Sequence, residues 1–200
     1  MLFFFLLQFL RNHFELSYKI QSAQRKAGFG HQVEIVGVIS DRPESGVLKR
    51  AKNWNIPRAL IKRKSKDRLT HEREVYEQVT KWGGDWVFLA GYMRVLGPCF
   101  ISKFYDQKRG HSRILNIHPS LLPSFRGLRA YERAFEEEVS FSGVSVHFVD
   151  EGIDTGELLI QKKFMRFKED NFEDFRARGQ RLEHEAYIEA IYKVINGGYR

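Results

Sequence analysis

The sequence predicts an α/β fold, an open and mostly parallel sheet with helices on both faces. Three observations predict it. Short apolar runs alternate with amphipathic stretches along most of the chain, the rhythm of strand–helix–strand units around a parallel sheet. The runs Val33–Ser40 and Asp85–Ala90 are nearly continuously apolar, as strands covered on both faces are. Glycine- and proline-bearing loops follow these runs, and no repeat or low-complexity linker divides the chain. The 200 residues therefore read as one domain with an atypical first strand and loop at residues 1–30. Such a Rossmann-like sheet binds its ligands outside the carboxyl ends of its strands.

The elements follow in order. Leu2 to Phe9 is read as a first strand, apolar on both faces. It is too short to cross a bilayer, which takes about 20 residues. It also lacks the basic start and small-residue cleavage site of a signal peptide. The expectation is a cytoplasmic chain with no membrane partner. Leu16 to Lys26 reads as a helix closed by Gly28 and Gly30, and Val33–Ser40 as a strand ended by Asp41-Arg42-Pro43. Glu44 to Trp54 follows as a helix, Ala59 to Ile61 as a short strand, and His71 to Trp82 as a helix. After the strand Asp85–Ala90, Gly91 and Gly97-Pro98 bracket a loop, and Phe100 to Tyr105 makes a brief helix.

Ser112–Asn116 reads as a buried strand halted by two prolines, Pro119 and Pro123. Beyond Gly127 the pattern gives a helix at Tyr131 to Glu138, then strands at Ser142–Val149 and Leu158–Lys162 around the acidic turn Asp150–Gly156. A long final helix starts near Asp170-Asn171, a residue pair suited to an N-cap. Its buried face is marked by Phe172, Phe175, Gly179, Leu182, Ala186, Ala190 and Val194.

Composition narrows the class. With 42% hydrophobic and 14% aromatic residues the chain fills a core and is not a disordered polyanion or polycation. A single cysteine, Cys99, excludes an internal disulfide and a cysteine-built metal site, as suits a reducing compartment. The net charge of +8 suits small polyanionic substrates. Only Lys62–Arg68 is densely basic, and it reads as a solvated loop rather than a nucleic-acid surface.

The chemistry gathers at Asn116-Ile117-His118-Pro119. In extended backbone, residues two apart project to the same side, so Asn116 and His118 share a direction. An amide donates to a developing oxyanion and an imidazole carries a proton near neutral pH. A plain strand-to-turn junction with a satisfied asparagine and a surface histidine would also show this spacing. No G-x-S-x-G occurs, and Cys99 follows Pro98 without charged neighbours. Direct attack of an amine on a carbonyl therefore fits better than a covalent intermediate. The acidic turn supplies a carboxylate. Asp154 is preferred because Gly152 and Gly156 let its turn approach another segment, whereas Asp150 and Glu151 read as solvated. A carboxylate beside His118 is expected to raise its pKa and keep it protonated as an acid.

Asn116 to Gly127 together with Gly143 to Gly156 resembles the folate-dependent formyltransferases, above all those that formylate glycinamide ribonucleotide in purine synthesis. The resemblance runs from about Val33 to Asn196. It implies the formyltransferase fold, 10-formyltetrahydrofolate as co-substrate, no metal, and a monomer or homodimer acting on small molecules. It assigns Asn116 to the formyl oxygen, His118 to proton donation and Asp154 to tuning that histidine, with His147 beside the carboxylate. It places the folate on Ala90–Leu96, including Met93, Arg94, Val95 and Leu96, with Asn116 also touching it and Arg68 against its glutamate tail. Gln180 and Glu183 on the last helix match positions near the ribose of the acceptor, and Asn12 lies in the stretch expected to meet its phosphate.

That stretch departs from the family. The resemblance implies a glycine-rich loop cradling the acceptor phosphate with backbone N–H groups, yet the chain carries Arg11-Asn12-His13-Phe14-Glu15 there. Glu15 brings a like charge and Phe14 lacks the positive-φ access of glycine. The departure keeps open a sugar-amine formyltransferase, a formyltetrahydrofolate deformylase and a catalytically impaired folate-binding protein. Methionyl-tRNA formyltransferases share part of the motif but carry a further carboxyl-terminal domain. Deformylases carry an extra amino-terminal domain and usually a histidine where Pro119 stands. Length and Pro119 favour the glycinamide branch.

Overall fold

Part of the apolar amino terminus forms strand β1, Leu2–Leu7, in a computed structural model that describes residues 2–7, 34–63 and 67–197. The expected helix at Leu16 to Lys26, its closing glycines, and the Arg11–Glu15 stretch with Asn12 lie outside the described residues. The chain divides into two units, residues 1–115 and 116–200.

In the first unit, β2 (Glu34–Ser40), β3 (Arg58–Leu60) and β4 (Trp86–Ala90) join β1 in the order β3-β2-β1-β4. Every pairing among them is parallel, with Phe5 of β1 opposite Val38 on one side and Phe88 on the other. Val38, Ile39, Val87 and Phe88 are almost wholly buried, each side chain contributing about 1.5–3 kcal/mol by leaving water. Gly37 leaves space for the Trp82 ring, since a Cβ there would lie 2.2 Å from Trp82 Cε3.

Helices α1 (Gly46–Asn53), α2 (Arg68–Lys81) and α3 (Pro98–Lys103) belong to this unit. So do two short antiparallel strands, β5 (Tyr105–Asp106) and β6 (His111–Ser112). Helix α2 begins three residues before the expected His71. Asp67 is the cause, because its carboxylate accepts from the Leu69 and Thr70 N–H groups and caps the first turn. The basic run therefore ends as a helix, and Arg68 sits in a first turn rather than in a loop. Pro98 starts α3 at a position where its missing N–H is not needed.

Strand β7 (Ile114–His118) ends two residues later than the sequence suggests, so His118 is itself a strand residue. In the second unit β8 (Phe141–Phe148) lies between β7 and β9 (Leu158–Met165). β8 and β9 are antiparallel, pairing Val144 with Lys162 and Phe141 with Met165. β9 runs three residues beyond the expected end at Lys162. The Lys163 ammonium sits 3.4 Å from the centre of the Phe141 ring and the ladder continues.

Helix α4 (Ala130–Glu136) and the long α5 (Phe172–Ile195) complete the unit. A capping box opens α5: Asn171 accepts from the Asp174 N–H while Asp174 accepts from the Asn171 N–H. Phe175, Gly179, Ala186, Ala190 and Val194 are buried on α5, as are Glu183, His184, Tyr187 and Ile191, which the apolar spacing does not reveal. Phe172 and Leu182 are half-buried and pack at the edge of a cluster around Tyr131, Phe164 and Phe175. Phe175 is central there, its ring centre 5.1 Å from that of Phe164 and 5.6 Å from that of Phe135. Among the described residues no helix is long and apolar enough to cross a membrane.

Candidate active site

Asn116, His118, His147 and Asp154 meet in the second unit. The two ends of β7 and β8 bring in three of them, and a tight turn delivers the fourth. Asp150 shapes that turn by accepting from the Gly152 N–H at 3.1 Å and the Thr155 hydroxyl at 2.7 Å. Phe148 N–H donates to Glu157 O across its neck. Gly156 presses on the end of β8, where a Cβ would stand 1.8 Å from Phe148 O. Asp154 itself takes a left-handed backbone, φ 52°, a conformation that aspartate tolerates better than most residues. Asp150 and Glu151 are exposed, whereas the Asp154 side chain is only 12% exposed.

The carboxylate faces four polar groups. Asp154 Oδ2 accepts the Gly127 N–H at 2.8 Å and lies 3.2 Å from His118 Nδ1. Asp154 Oδ1 lies 3.4 Å from both His147 Nε2 and Asn116 Nδ2. Burial raises its pKa, but the His147 contact, the charge of His118 and the Gly127 N–H together outweigh burial and hold the carboxyl below its ordinary value. Asp154 is thus an anion.

His118 is 5% exposed. Its Nε2 is 2.8 Å from Phe125 O, a carbonyl that also accepts from Arg133 Nη2 at 2.7 Å. Burial dominates and pushes the imidazole pKa below its ordinary value, against the opposing pull of Asp154 and the Phe125 carbonyl. Asp154 pulls that pKa upward as expected, but desolvation of the ring outweighs the attraction of the anion, and the net shift is downward.

His147 Nδ1 donates to Phe148 O at 2.8 Å, leaving the Nε2 lone pair 3.2 Å from Asn116 Nδ2. The Asn116 amide nitrogen is therefore held by a histidine on one side and, more weakly, by Asp154 on the other.

The segment after His118 is pinned from β8 and β9. The Ser145 hydroxyl donates to Ser120 O at 2.7 Å and accepts the Leu122 N–H at 3.1 Å. Gln161 Nε2 donates to Leu122 O and to Ser145 Oγ, each at 3.0 Å. Gly143 faces the same turn, and a Cβ there would fall 2.3 Å from Leu121 Cδ2. Sequence reasoning missed Ser145 and Gln161. The available signal was period two along β8, which puts Gly143, Ser145 and His147 on one face.

The remaining candidates are carried by other elements. On α5, Glu183 is 3% exposed and accepts the Tyr131 hydroxyl at 2.5 Å. Burial first, then that carboxylate, drives the tyrosine pKa well above its ordinary value. The Tyr131 ring occupies the space over Gly179, where a Cβ would lie 2.4 Å from its oxygen, and Gln180 is half-buried beside it. In the first unit, the loop after β4 turns at Gly91, φ 68°. Met93 and Val95 are exposed, Arg94 is half-buried and Leu96 anchors the loop in the core. Arg68 lies 3.7 Å from Glu72 on the same helix. Among the described residues no group of three or more histidine, cysteine or acidic side chains is placed to hold a metal ion.

Comparison with known proteins places this arrangement. Residues 9–191 match the formyl transferase family. The phosphoribosylglycinamide formyltransferase of Haemophilus influenzae is 37% identical over 168 residues, 84% of this chain and 76% of its own length. The trifunctional purine biosynthetic protein adenosine-3 of Chironomus tentans is 36% identical over 181 residues, 89% of this chain but 13% of that longer protein. The crystal structure of phosphoribosylglycinamide formyltransferase from Bacillus halodurans superposes with a TM-score of 0.82 at 34% identity, covering 96% of this chain and 95% of that one. Fold and sequence agree: the chain belongs to the formyl transferase family.

Proposed function

We propose that the chain transfers the formyl group of 10-formyltetrahydrofolate to the amine of glycinamide ribonucleotide, a step of purine synthesis. The observation that carries this reading is the single carboxylate of Asp154 in contact with His118, His147 and Asn116. Relatives of comparable length carry that activity in their names, and the family match over residues 9–191 supports one formyltransferase domain.

The chemistry follows from the side chains. The acceptor amine attacks the formyl carbon, forming a new C–N bond as the bond from carbon to the folate N10 breaks. The carbonyl oxygen gains charge on the way and needs a donor. The Asn116 hydrogen shared with Asp154 at 3.4 Å is weakly held and is the one an incoming oxygen can recruit. A neutral His118 accepts the proton that the amine sheds, and the Asp154 anion stabilises the imidazolium. The proton then passes to the departing N10. His147 keeps Asn116 aimed through its own lone pair.

In the same reading the loop Gly91–Leu96 and Arg68 bind the folate, and Gln180 and Glu183 bind the acceptor ribose. The loop supports this with apolar Met93 and Val95 exposed while Leu96 is buried. Small-molecule substrates, a monomer or homodimer, and a cytoplasmic setting complete the proposal. The test is release of tetrahydrofolate by the purified chain from 10-formyltetrahydrofolate, with glycinamide ribonucleotide, an amino sugar nucleotide or water as acceptor. Release that depends on the glycinamide supports the reading. Release with water alone or the amino sugar alone replaces it by a deformylase or a sugar-amine formyltransferase, and folate binding without release by a silent binder.

A further inference from the structure

Glu72 is a buried carboxylate that the proposed chemistry does not use. It lies on the first turns of α2, is 4% exposed and accepts the Gly97 N–H through Oε1 at 2.9 Å. Gly97 closes the Gly91–Leu96 loop and is the N-cap residue of α3, where it has no side chain of its own to cap the helix. The same Oε1 lies 3.7 Å from Arg68 Nε, one helical turn earlier. A Cβ on Gly97 would stand 2.9 Å from Glu72 Oε2 and 3.3 Å from the Arg68 guanidinium. The loop end, the carboxylate and the guanidinium are therefore in one tight contact.

We infer that Glu72 is a positioning residue for the folate co-substrate, fixing the carboxyl end of the Gly91–Leu96 loop and the Arg68 guanidinium relative to each other. This rests on the proposed folate role of that loop. A carboxylate with so little water contact is retained at a cost unless its bonds are used, and a helix of hydrocarbon contacts alone would be served better by leucine. The charge reaches the start of the loop as well: burial, followed by the charge of Glu72, pushes the Tyr92 hydroxyl up to about 12. Arg68 keeps 46% of its side chain exposed, so the tether restrains its direction without removing it from solvent.

The test uses the full chain and the variants Glu72→Ala, Glu72→Gln and Gly97→Ala. It reads kcat, KM for each substrate, melting temperature, and the Kd of tetrahydrofolate by fluorescence quenching. Glu72→Ala is expected to raise the folate KM and the tetrahydrofolate Kd about tenfold, the loss of a charge-assisted hydrogen bond. The kcat and acceptor KM should stay within about twofold. Glu72→Gln, which still accepts the Gly97 N–H, should fall between. Gly97→Ala should raise the folate KM in the natural chain and add little in the Glu72→Ala background, where the opposing oxygen is gone.

A lowered melting temperature with unchanged folate KM and Kd overturns the inference, and so does a fall in kcat alone. Should Glu72→Ala fail to fold, unchanged folate binding in both Glu72→Gln and Gly97→Ala overturns it equally. Absence of tetrahydrofolate binding by the unmodified chain refutes the folate reading itself, and this inference with it. Normal binding in that chain with no response in the variants refutes only the role of Glu72.

Discussion

Asp154 and His118 share one oxygen: Oδ2 stands 3.2 Å from the imidazole Nδ1 while it also holds the Gly127 N–H at 2.8 Å. The carboxylate thus fixes the ring and the loop that bends over it at once. Asp154→Asn keeps the shape but removes the charge that stabilises an imidazolium. We expect kcat to fall by about 10²–10⁴-fold, the usual worth of a positioned proton carrier, with folate Kd nearly unchanged. A kcat within tenfold of the natural chain would remove Asp154 from the mechanism.

The pH dependence follows from the sign of the His118 shift. Burial sets its pKa below the ordinary 6.5, so the acid limb of kcat/KM should lie below that value, with activity falling as pH drops. Because Asp154 pulls the pKa upward, the limb in Asp154→Asn should move to still lower pH. A limb above 6.5 in the natural chain would contradict the dominance of burial.

Stability should respond in the same direction. His118 and His71 are both pushed down mainly by burial, so the unfolded chain binds more protons than the folded one in this range. Stability then rises with pH and is lost as pH falls from about 6.5 toward their lowered values. Asp154 and Asp170 are also lowered. The Arg178 hydrogen bonds hold Asp170 at about 2, and their contribution is lost at still lower pH, below the ordinary 3.8. Melting temperature measured from pH 8 to pH 3 should fall monotonically. A maximum near pH 5 would contradict this.

The pinned turn after His118 gives a fourth expectation. Ser145→Ala strands the Leu122 N–H and the Ser120 carbonyl in a buried place, at a cost of about 1–3 kcal/mol for each group left unpaired. Activity should fall along with stability, since the turn carries Phe125 O to His118. Unchanged melting in chemical denaturant would show that the turn is held by other contacts.

Much of this was legible in the sequence, for reasons that differ from element to element. The β2 and β4 strands announce themselves because burial on both faces demands continuous apolar residues. Asn116 and His118 share a side because extended backbone has period two, and two flanking glycines single out Asp154. The protonation state of His118 was not legible. It depends on the balance between desolvation and one carboxylate, and only the burial of the ring decides that balance. Arg68 was read as part of a solvated run because the capping bond of Asp67 involves two backbone N–H groups, which composition does not show. Ser145, Gln161 and Glu72 were hidden for a related reason. Each joins segments far apart in the chain through a single polar atom, and no local pattern records such a partner.

Gly143 has a consequence for how this sequence can drift. The position bears no functional group, yet Leu121 and Lys162 O crowd it from two sides, leaving no place for even a methyl. In a library of all single substitutions selected for activity, position 143 should be as intolerant as the histidine at 118, and every replacement should fail, alanine included. A residue with no chemistry of its own would then be indistinguishable, by its mutational profile, from one that handles the proton.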